Sequence, residues 1–443
     1  MKVVGLITEY NPFHNGHKYH IEEAKRITGA DCVIAVMSGN FVQRGTPAII
    51  DKYSRTEMAL HNGVDLVLEL PVCYATGSAE YFAHGAVSIL DKLGIVDTLC
   101  FGSECGDIIL LQKAAKFLLD APASYHDRLQ SLLKEGLTYP AARLKALEPS
   151  MDAFEGVDGP AISKVLMEPN NILGIEYVKA LYNLSSNIVP ITIQRISSHY
   201  HDKHLSDKST TSNPTITSIL EDGETPNPLV ISSATAIRNS IHKRNINSFL
   251  DLEAAKNSVP NDVYQFLIEN YNKTYPITEA DFSQVIKYKL LEQDNRLLNQ
   301  YVDISNDLAE RMKNIPDFNL SIEELAQMIK TKNMTLTRIN RALIHLLLNI
   351  RSEDFAEYNQ SGYALYARVL GIRKEASHLL REIEKSGKTP IITKVSKAGS
   401  QLDVLGKRML SEDLFATHIY NQAIYEKYKT IIANEYKHGI ILL

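Results

Sequence analysis

Two histidines, His14 and His17, stand three residues apart just behind the apolar run Lys2–Ile7. That run reads as a buried strand. Asn11-Pro12-Phe13 breaks it, and a helical pattern follows from about His17 to Ile27, with Tyr19, Ile21, Ala24 and Ile27 facing inward. Both imidazoles therefore fall where a helix opens at the carboxyl end of a first strand. The first N–H groups of a helix have no partner within it, and the positive end of its dipole points outward there. Phosphate binds well at such a place. Gly16 between the histidines removes a side chain from the path of a phosphate. Two other readings of the spacing stand beside this one. His-x-x-His is also half a metal site, although no third ligand is near and cysteine is sparse. It is equally two surface histidines at a helix cap.

The elements that would position these groups alternate along the first hundred residues. Asp31–Met37 is a second apolar run. Asp51–Asn62 is helical in pattern, with Gly63 as its stop. Asp65–Leu70 is a third strand ended by Pro71, Ala79–Leu93 is helical, and Asp97–Phe101 is a fourth strand leading into Gly102-Ser103-Glu104. Strands spaced by helices predict βαβ units and a parallel sheet, whose ligands lie beyond the carboxyl ends of its strands. Residues 107–185 read as mainly helical, Asn187–Arg195 as a late strand, and His199–Asn227, rich in Ser, Thr, Asp, Asn and Pro, as a loop or flap. Ser232–Arg238 opens a helix on natural N-cap residues. From Val263 onward the pattern is helical with few strand signals. The expectation is an α/β chain: a Rossmann-like parallel sheet over residues 1–250, then a mainly α-helical domain over residues 251–443.

The bulk numbers narrow the class. A chain of 443 residues with 44% hydrophobic content can bury two or three cores. No run approaches the ~20 apolar residues of a membrane span, and the first residues form a core strand rather than a cleavable signal, so a cytoplasmic protein is expected. Cys32, Cys73, Cys100 and Cys105 form no CxxC pair and read as free thiols. The formal charge of −5 excludes a wholly basic nucleic-acid binder. The charge is uneven, however. Ser361–Leu410 holds 10 basic residues against 4 acidic ones, a candidate basic patch.

Several stretches together carry a resemblance. Gly5–His17 (GLITEYNPFHNGH) comes first, then Met37–Gly45 (MSGNFVQRG), Pro47–Asp51 and Asp65–Pro71 (DLVLELP). Pro169–Tyr177 (PNNILGIEY), Ser232–Arg238 (SSATAIR) and Tyr366–Lys374 (YARVLGIRK) follow. His-x-Gly-His after a first strand resembles the nucleotidyltransferase superfamily, and the full set resembles the bacterial tRNA(Met) cytidine acetate ligases. The resemblance implies activation of acetate by ATP as acetyl-adenylate. The acetyl group would then pass to N4 of the wobble cytidine, position 34, of elongator tRNA(Met). It implies ATP as substrate with Mg2+ accompanying it, acetate and elongator tRNA(Met) as partners, and neither a membrane nor DNA.

Residue by residue, the resemblance implies His14, His17 and Arg238 as catalytic. It implies ATP contacts from Ile7, Thr8, Asn11, His14, Gly16, His17 and His20 around the first motif. Others would come from Gly102, from Asn170 or Asn171, and from Arg195, Ser232 and Ser233. The residue types suit the chemistry. Adenylate formation is an in-line attack on an α-phosphate and needs positioning and positive charge rather than a protein nucleophile. Imidazoles can stabilise the charge that builds, and a guanidinium with helix N–H groups can hold the leaving phosphates. Simpler roles exist for several: a helix cap for Ser232, Ser233, Asn170 and Asn171, and a turn for Gly102; Arg44 in its glycine-flanked loop could reach substrate and could equally be a solvated loop charge. Lys394-Val-Ser-Lys397 faintly resembles a synthetase loop and is taken with the basic patch.

A small-molecule adenylyltransferase of the NAD or coenzyme A precursor type would share both signatures. It would not need the further ~190 residues that carry Arg338, Arg341, Arg351, Arg368, Arg373, Lys374, Arg381, Lys385, Lys388, Lys394 and Lys397. A non-catalytic RNA binder on the same scaffold would have no use for an intact His14, His17 and Arg238.

Overall fold

The computed structural model describes residues 1–135, 137, 139–149, 159–195, 231–242, 253 and 255–443. The expected loop His199–Asn227 lies outside the described residues. Among the described residues ten strands are present: β1 (Val3–Thr8), β2 (Cys32–Ser38), β3 (Phe41–Val42), β4 (Thr46–Pro47), β5 (Leu66–Leu70), β6 (Thr98–Ser103), β7 (Val189–Gln194), β8 (Ala367–Ile372), β9 (Ile391–Ile392) and β10 (Ile441–Leu442). Eight of them make one sheet in the order β10-β8-β5-β2-β1-β6-β7, with β9 also on β8, while β3 and β4 pair as a small ribbon.

β5, β2, β1, β6 and β7 are parallel. Helices Asn15–Thr28, Lys52–His61 and Ala79–Leu93 connect the first strands, as βαβ chirality and crossover length require. Residues of one strand go alternately to two cores. Val3, Ile34, Val36, Leu66 and Leu68 pack on one face, and Val4, Leu6, Val33, Ala35 and Val67 on the other. This two-residue alternation inside near-continuous apolar runs is the pattern of a sheet covered on both faces. Aspartates pin the strand starts: Asp97 accepts from the Val3 N–H at 2.7 Å and Asp65 from the Val33 N–H at 2.8 Å.

The second half of the chain departs from expectation. It is rich in helices, yet it returns β8, β9 and β10 to the main sheet. β8 runs antiparallel to β5, pairing Leu66 with Ile372 and Glu69 with Arg368. The expected division at residue 250 is therefore not a division of the sheet. The run Ala367–Ile372 is fully buried and only six residues long. A short apolar run of that kind is indistinguishable by periodicity from a buried helix segment.

A buried ionic network sits at this junction. Lys52 Nζ lies 2.8 Å from both Glu69 and Glu435, and Arg368 pairs with Glu69 at 2.9 Å and with Glu435. Lys52, Glu69, Arg368 and Glu435 are all buried. Arg368 is thus an internal cation and no part of a surface patch, which corrects the expectation for it. Arg341, also buried, pairs with Asp303 at 2.8 Å. Lys374, Arg381, Lys385, Lys388, Lys394 and Lys397 are exposed.

Candidate active site

The chain turns sharply after β1. Tyr10 adopts a left-handed backbone (φ 48°), and Tyr10 and Phe13 are buried. Their rings pack at 4.8 Å, and each lies against the ring of His17. His14 follows as the extended N-cap of helix Asn15–Thr28. The His14 and His17 rings stack with centroids 3.6 Å apart. The His14 backbone N–H donates to His17 Nδ1 at 3.3 Å. That bond assigns the remaining ring proton of a neutral His17 to Nε2, which makes this edge a donor. His14 Nδ1 is buried without a hydrogen-bond partner among the described residues.

Gly16 has a packing role beyond phosphate access. A Cβ there would come within 2.9 Å of the His14 ring and 3.3 Å of Ile231. The absence of a side chain lets the first motif and the Ser232–Arg238 segment meet.

Arg195 and Arg238 both lie close enough to His14 for their charges to act on it. Burial first, then these two guanidiniums, pushes His14 down to about 3. Burial and Arg195 push His20 down to about 4. Burial, with His14 and His20 next, holds His17 well below the usual histidine range. At neutral pH all three rings are uncharged, so they act as dipolar donors while the arginines carry the positive charge. Arg238 Nη1 donates to the Asn11 carbonyl at 2.7 Å and Nη2 to Thr235 Oγ1 at 3.0 Å. Arg44, at the tip of the β3–β4 ribbon, is near enough to repel Arg238 electrostatically. Its neighbour Gly45 (φ 71°) is required there, since a Cβ would fall 2.2 Å from the Arg341 backbone N.

Two strand ends complete the rim. Arg195 follows β7, its N–H bonded to the Ser103 carbonyl at 2.9 Å, and its side chain lies over Gly102, where a Cβ would meet Cγ at 3.2 Å. Asn170 and Asn171 open helix Pro169–Asn183. Asn171 is buried, and both ends of its carboxamide are engaged: Oδ1 accepts from the Glu104 and Cys105 N–H groups, and Nδ2 donates to Glu168. Asn170 is partly exposed and donates to Glu104 at 2.6 Å. Of the two, Asn170 is the one with surface to offer a ligand.

The remaining sequence candidates divide. Ile7 and Thr8 end β1, and Thr8 Oγ1 is buried with no partner among the described residues. The Asn11 carboxamide oxygen is taken by the Ile49 N–H at 2.9 Å. Ser233 Oγ caps its helix through the Ala236 N–H at 3.0 Å. Ser232 Oγ instead meets Ser258 Oγ at 2.8 Å, and the Asn15 Nδ2 donates to the Asn257 carbonyl at 2.8 Å. Sequence reasoning missed Asn257 and Ser258. They lie beyond residue 250 in a short 3-10 turn, Lys256–Ser258, and carry no signature of their own.

A parallel sheet with two stacked, neutral histidines at the end of its first strand, ringed by arginines, defines a nucleotidyltransferase site of the His-x-Gly-His kind. The HIGH Nucleotidyl Transferase family matches residues 1–230 and 221–435. Among similar proteins, the tRNA(Met) cytidine acetate ligase of Clostridium perfringens is 41% identical over 423 residues, covering 95% of each chain. That of Thermoanaerobacter sp. strain X514 is 40% identical over 444 residues, covering 100% of each. The crystal structure of Thermotoga maritima TmcAL bound with alpha-thio ATP superposes with a TM-score of 0.85 at 31% identity over 100% of both chains. The chain belongs to the tRNA(Met) cytidine acetate ligase family of HIGH nucleotidyltransferases.

Proposed function

We propose that this chain is an ATP-dependent ligase that activates acetate as acetyl-adenylate and acetylates N4 of the wobble cytidine of elongator tRNA(Met). The observation that carries the proposal is the His14–His17 stack just beyond the carboxyl end of β1, with Arg195 and Arg238 both close enough for their charges to act on His14. In the first half-reaction an acetate oxygen attacks the α-phosphorus, the bond to the bridging oxygen breaks, and pyrophosphate leaves. His17 Nε2–H donates to phosphate oxygens as charge develops, Arg238 and Arg44 face the leaving pyrophosphate, and Arg195 lies over Gly102 at the nucleoside end. Neutral imidazoles suit the role, because they donate without trapping the product by full charge pairing.

Among the described residues no group of three or more His, Cys, Asp or Glu side chains converges as a metal site. A magnesium ion fits this site as a companion of the nucleotide, held by its phosphates and water, as is usual for Mg2+. For tRNA, the exposed Lys374, Arg381, Lys388, Lys394 and Lys397 supply phosphate contacts. No helix among the described residues is long and apolar enough to cross a membrane, and we place the reaction in the cytoplasm.

The test is incubation with ATP, labelled acetate and total bacterial tRNA, followed by nucleoside mass analysis. Label in N4-acetylcytidine, with pyrophosphate exchange that depends on acetate, is the expected result. Exchange independent of acetate would favour a small-molecule adenylyltransferase instead.

A further inference from the structure

His17 serves the first half-reaction as a donor, and burial with the charges of Arg195 and Arg238 makes the unpartnered His14 Nδ1 a weak base, but the second half-reaction needs an acceptor. When the cytidine N4 attacks the acetyl carbonyl, an N–C bond forms and the C–O bond to AMP breaks. One N4 proton must then leave. His17 cannot take it at the ring edge assigned above, since Nδ1 is occupied by the His14 N–H and Nε2 already bears hydrogen. The His20 Nε2 faces the buried thiol of Cys100 at 3.9 Å.

Three carboxylates border the arginines. Glu104 is spent on the scaffold: Oε1 accepts from the Asn170 N–H and Nδ2, and Oε2 from the Asn171 N–H at 2.8 Å. Glu279 begins the turn Glu279–Phe282, on a segment tied to the Ile49 carbonyl through the Ile277 N–H. Burial, and the charges of Glu323 and Asp281, favour its neutral form. Glu9 differs from both. It is the first residue beyond β1, adjacent to Thr8 and five residues before His14. Its carbonyl accepts from Arg55 Nη1 at 2.5 Å, and its Oε1 accepts from the Gln43 N–H at 2.8 Å. Arg55 is fully buried and also grips the Ser38 and Gly39 carbonyls. Glu9 is therefore fixed through its backbone carbonyl and through one carboxylate oxygen, just beyond the end of β1. Its charge reaches Arg238. A fixed anion opposes phosphate binding by repulsion, so its presence calls for a use after pyrophosphate has left.

We propose that Glu9 is the general base of acetyl transfer, accepting the N4 proton as the amide forms and AMP departs with the electron pair of the broken C–O bond. The assignment rests on the acetate-ligase reading and adds the residue that its second step lacks. Glu9 becomes the carboxylic acid, and the proton passes to solvent as products leave, so no further reactant is needed.

The experiment separates the two half-reactions in the full-length enzyme. Acetate-dependent pyrophosphate exchange reads the first. Single-turnover transfer from synthetic acetyl-adenylate to tRNA(Met) reads the second. In Glu9→Gln the ratio of transfer to exchange should fall by about 10²–10⁴, the usual range for loss of a general base. The wild-type transfer rate should decline toward acid pH with one proton, and that limb should vanish in Glu9→Gln. Glu9→Asp, which keeps the carboxylate, should retain the limb at a reduced rate. Equal losses in both half-reactions, or a limb that survives in Glu9→Gln, would overturn the assignment. Wild-type exchange that ignores acetate would remove the ligase reading itself, a different failure from either of these.

Discussion

Ser258 Oγ lies 2.8 Å from Ser232 Oγ, and both residues are buried. One turn beyond the expected domain boundary thus holds a hydroxyl of the second nucleotide signature, while the adjacent Asn257 carbonyl holds Asn15 of the first. The two candidate nucleotide-binding segments are set against each other by the second half of the chain.

Ser258→Ala should therefore weaken ATP use. Leaving a buried hydroxyl without its partner costs about 1–3 kcal/mol, and 1.4 kcal/mol is tenfold in binding. The KM for ATP in acetate-dependent exchange should rise about tenfold with tRNA affinity unchanged. A chain ending at residue 250 should show no exchange and no cooperative unfolding, because β5 would lose its β8 partner. Exchange by that fragment would contradict the arrangement.

His17→Ala should slow adenylate formation by about 10²–10³, the typical loss of one transition-state donor. His14→Ala should act similarly through the stacked ring. tRNA binding, measured by filter retention, should survive both. Wild-type exchange in either variant would remove the assignment.

The His14 ring also sets a pH dependence. Its folded pKa is pushed down to about 3 from 6.5, by burial and by Arg195 and Arg238. Below pH 6.5 only the unfolded chain binds this proton, so stability falls as pH falls. The slope is about 1.4 kcal/mol per pH unit until pH approaches 3. Asp413 acts in the opposite sense. Burial and the nearby Glu69 push it up to about 7, so the folded state holds its proton between about pH 7 and 4 and gains stability as pH falls through that range. Comparing urea midpoints of wild type and His14→Gln from pH 6.5 to 4 isolates the histidine. The variant should lose stability less steeply, by about one proton.

Arg368 and Lys374 should behave oppositely although six residues separate them. Arg368→Ala strands Glu69 and Glu435 in the interior with Lys52 alone and should cost about 3–5 kcal/mol, measurable by urea denaturation. Lys374→Ala with Lys394→Ala should leave stability within about 0.5 kcal/mol. This double variant should flatten the salt dependence of tRNA binding by about 0.7–0.9 log units per log salt for each phosphate that goes unneutralised. An unchanged slope would place the RNA elsewhere on the surface.

Much of this protein was legible in the sequence because the signals are local. Apolar runs punctuated by Pro71, Gly63 and Asn11-Pro12-Phe13 mark β1, β2, β5 and β6 and the helices between them. His-Asn-Gly-His at a strand end marks the start of helix Asn15–Thr28, and a candidate phosphate-binding turn, without reference to anything distant. The proximity of Arg195 and Arg238 to His14 followed only from resemblance to a family, since nothing in the long intervening stretches of chain encodes a distance. What tertiary structure alone decided is which groups have partners. The surplus of basic residues in Ser361–Leu410 looked uniform, yet folding buries Arg368 against Glu69 and Glu435, some 300 residues before it and 67 after, and leaves Lys374 in water. Asn171, Ser258 and Glu9 likewise owe their roles to the groups that reach them. Local propensity depends on neighbours within a few residues. Burial and charge pairing depend on whichever distant segments the close-packed core brings together, and no spacing rule along the chain contains that information.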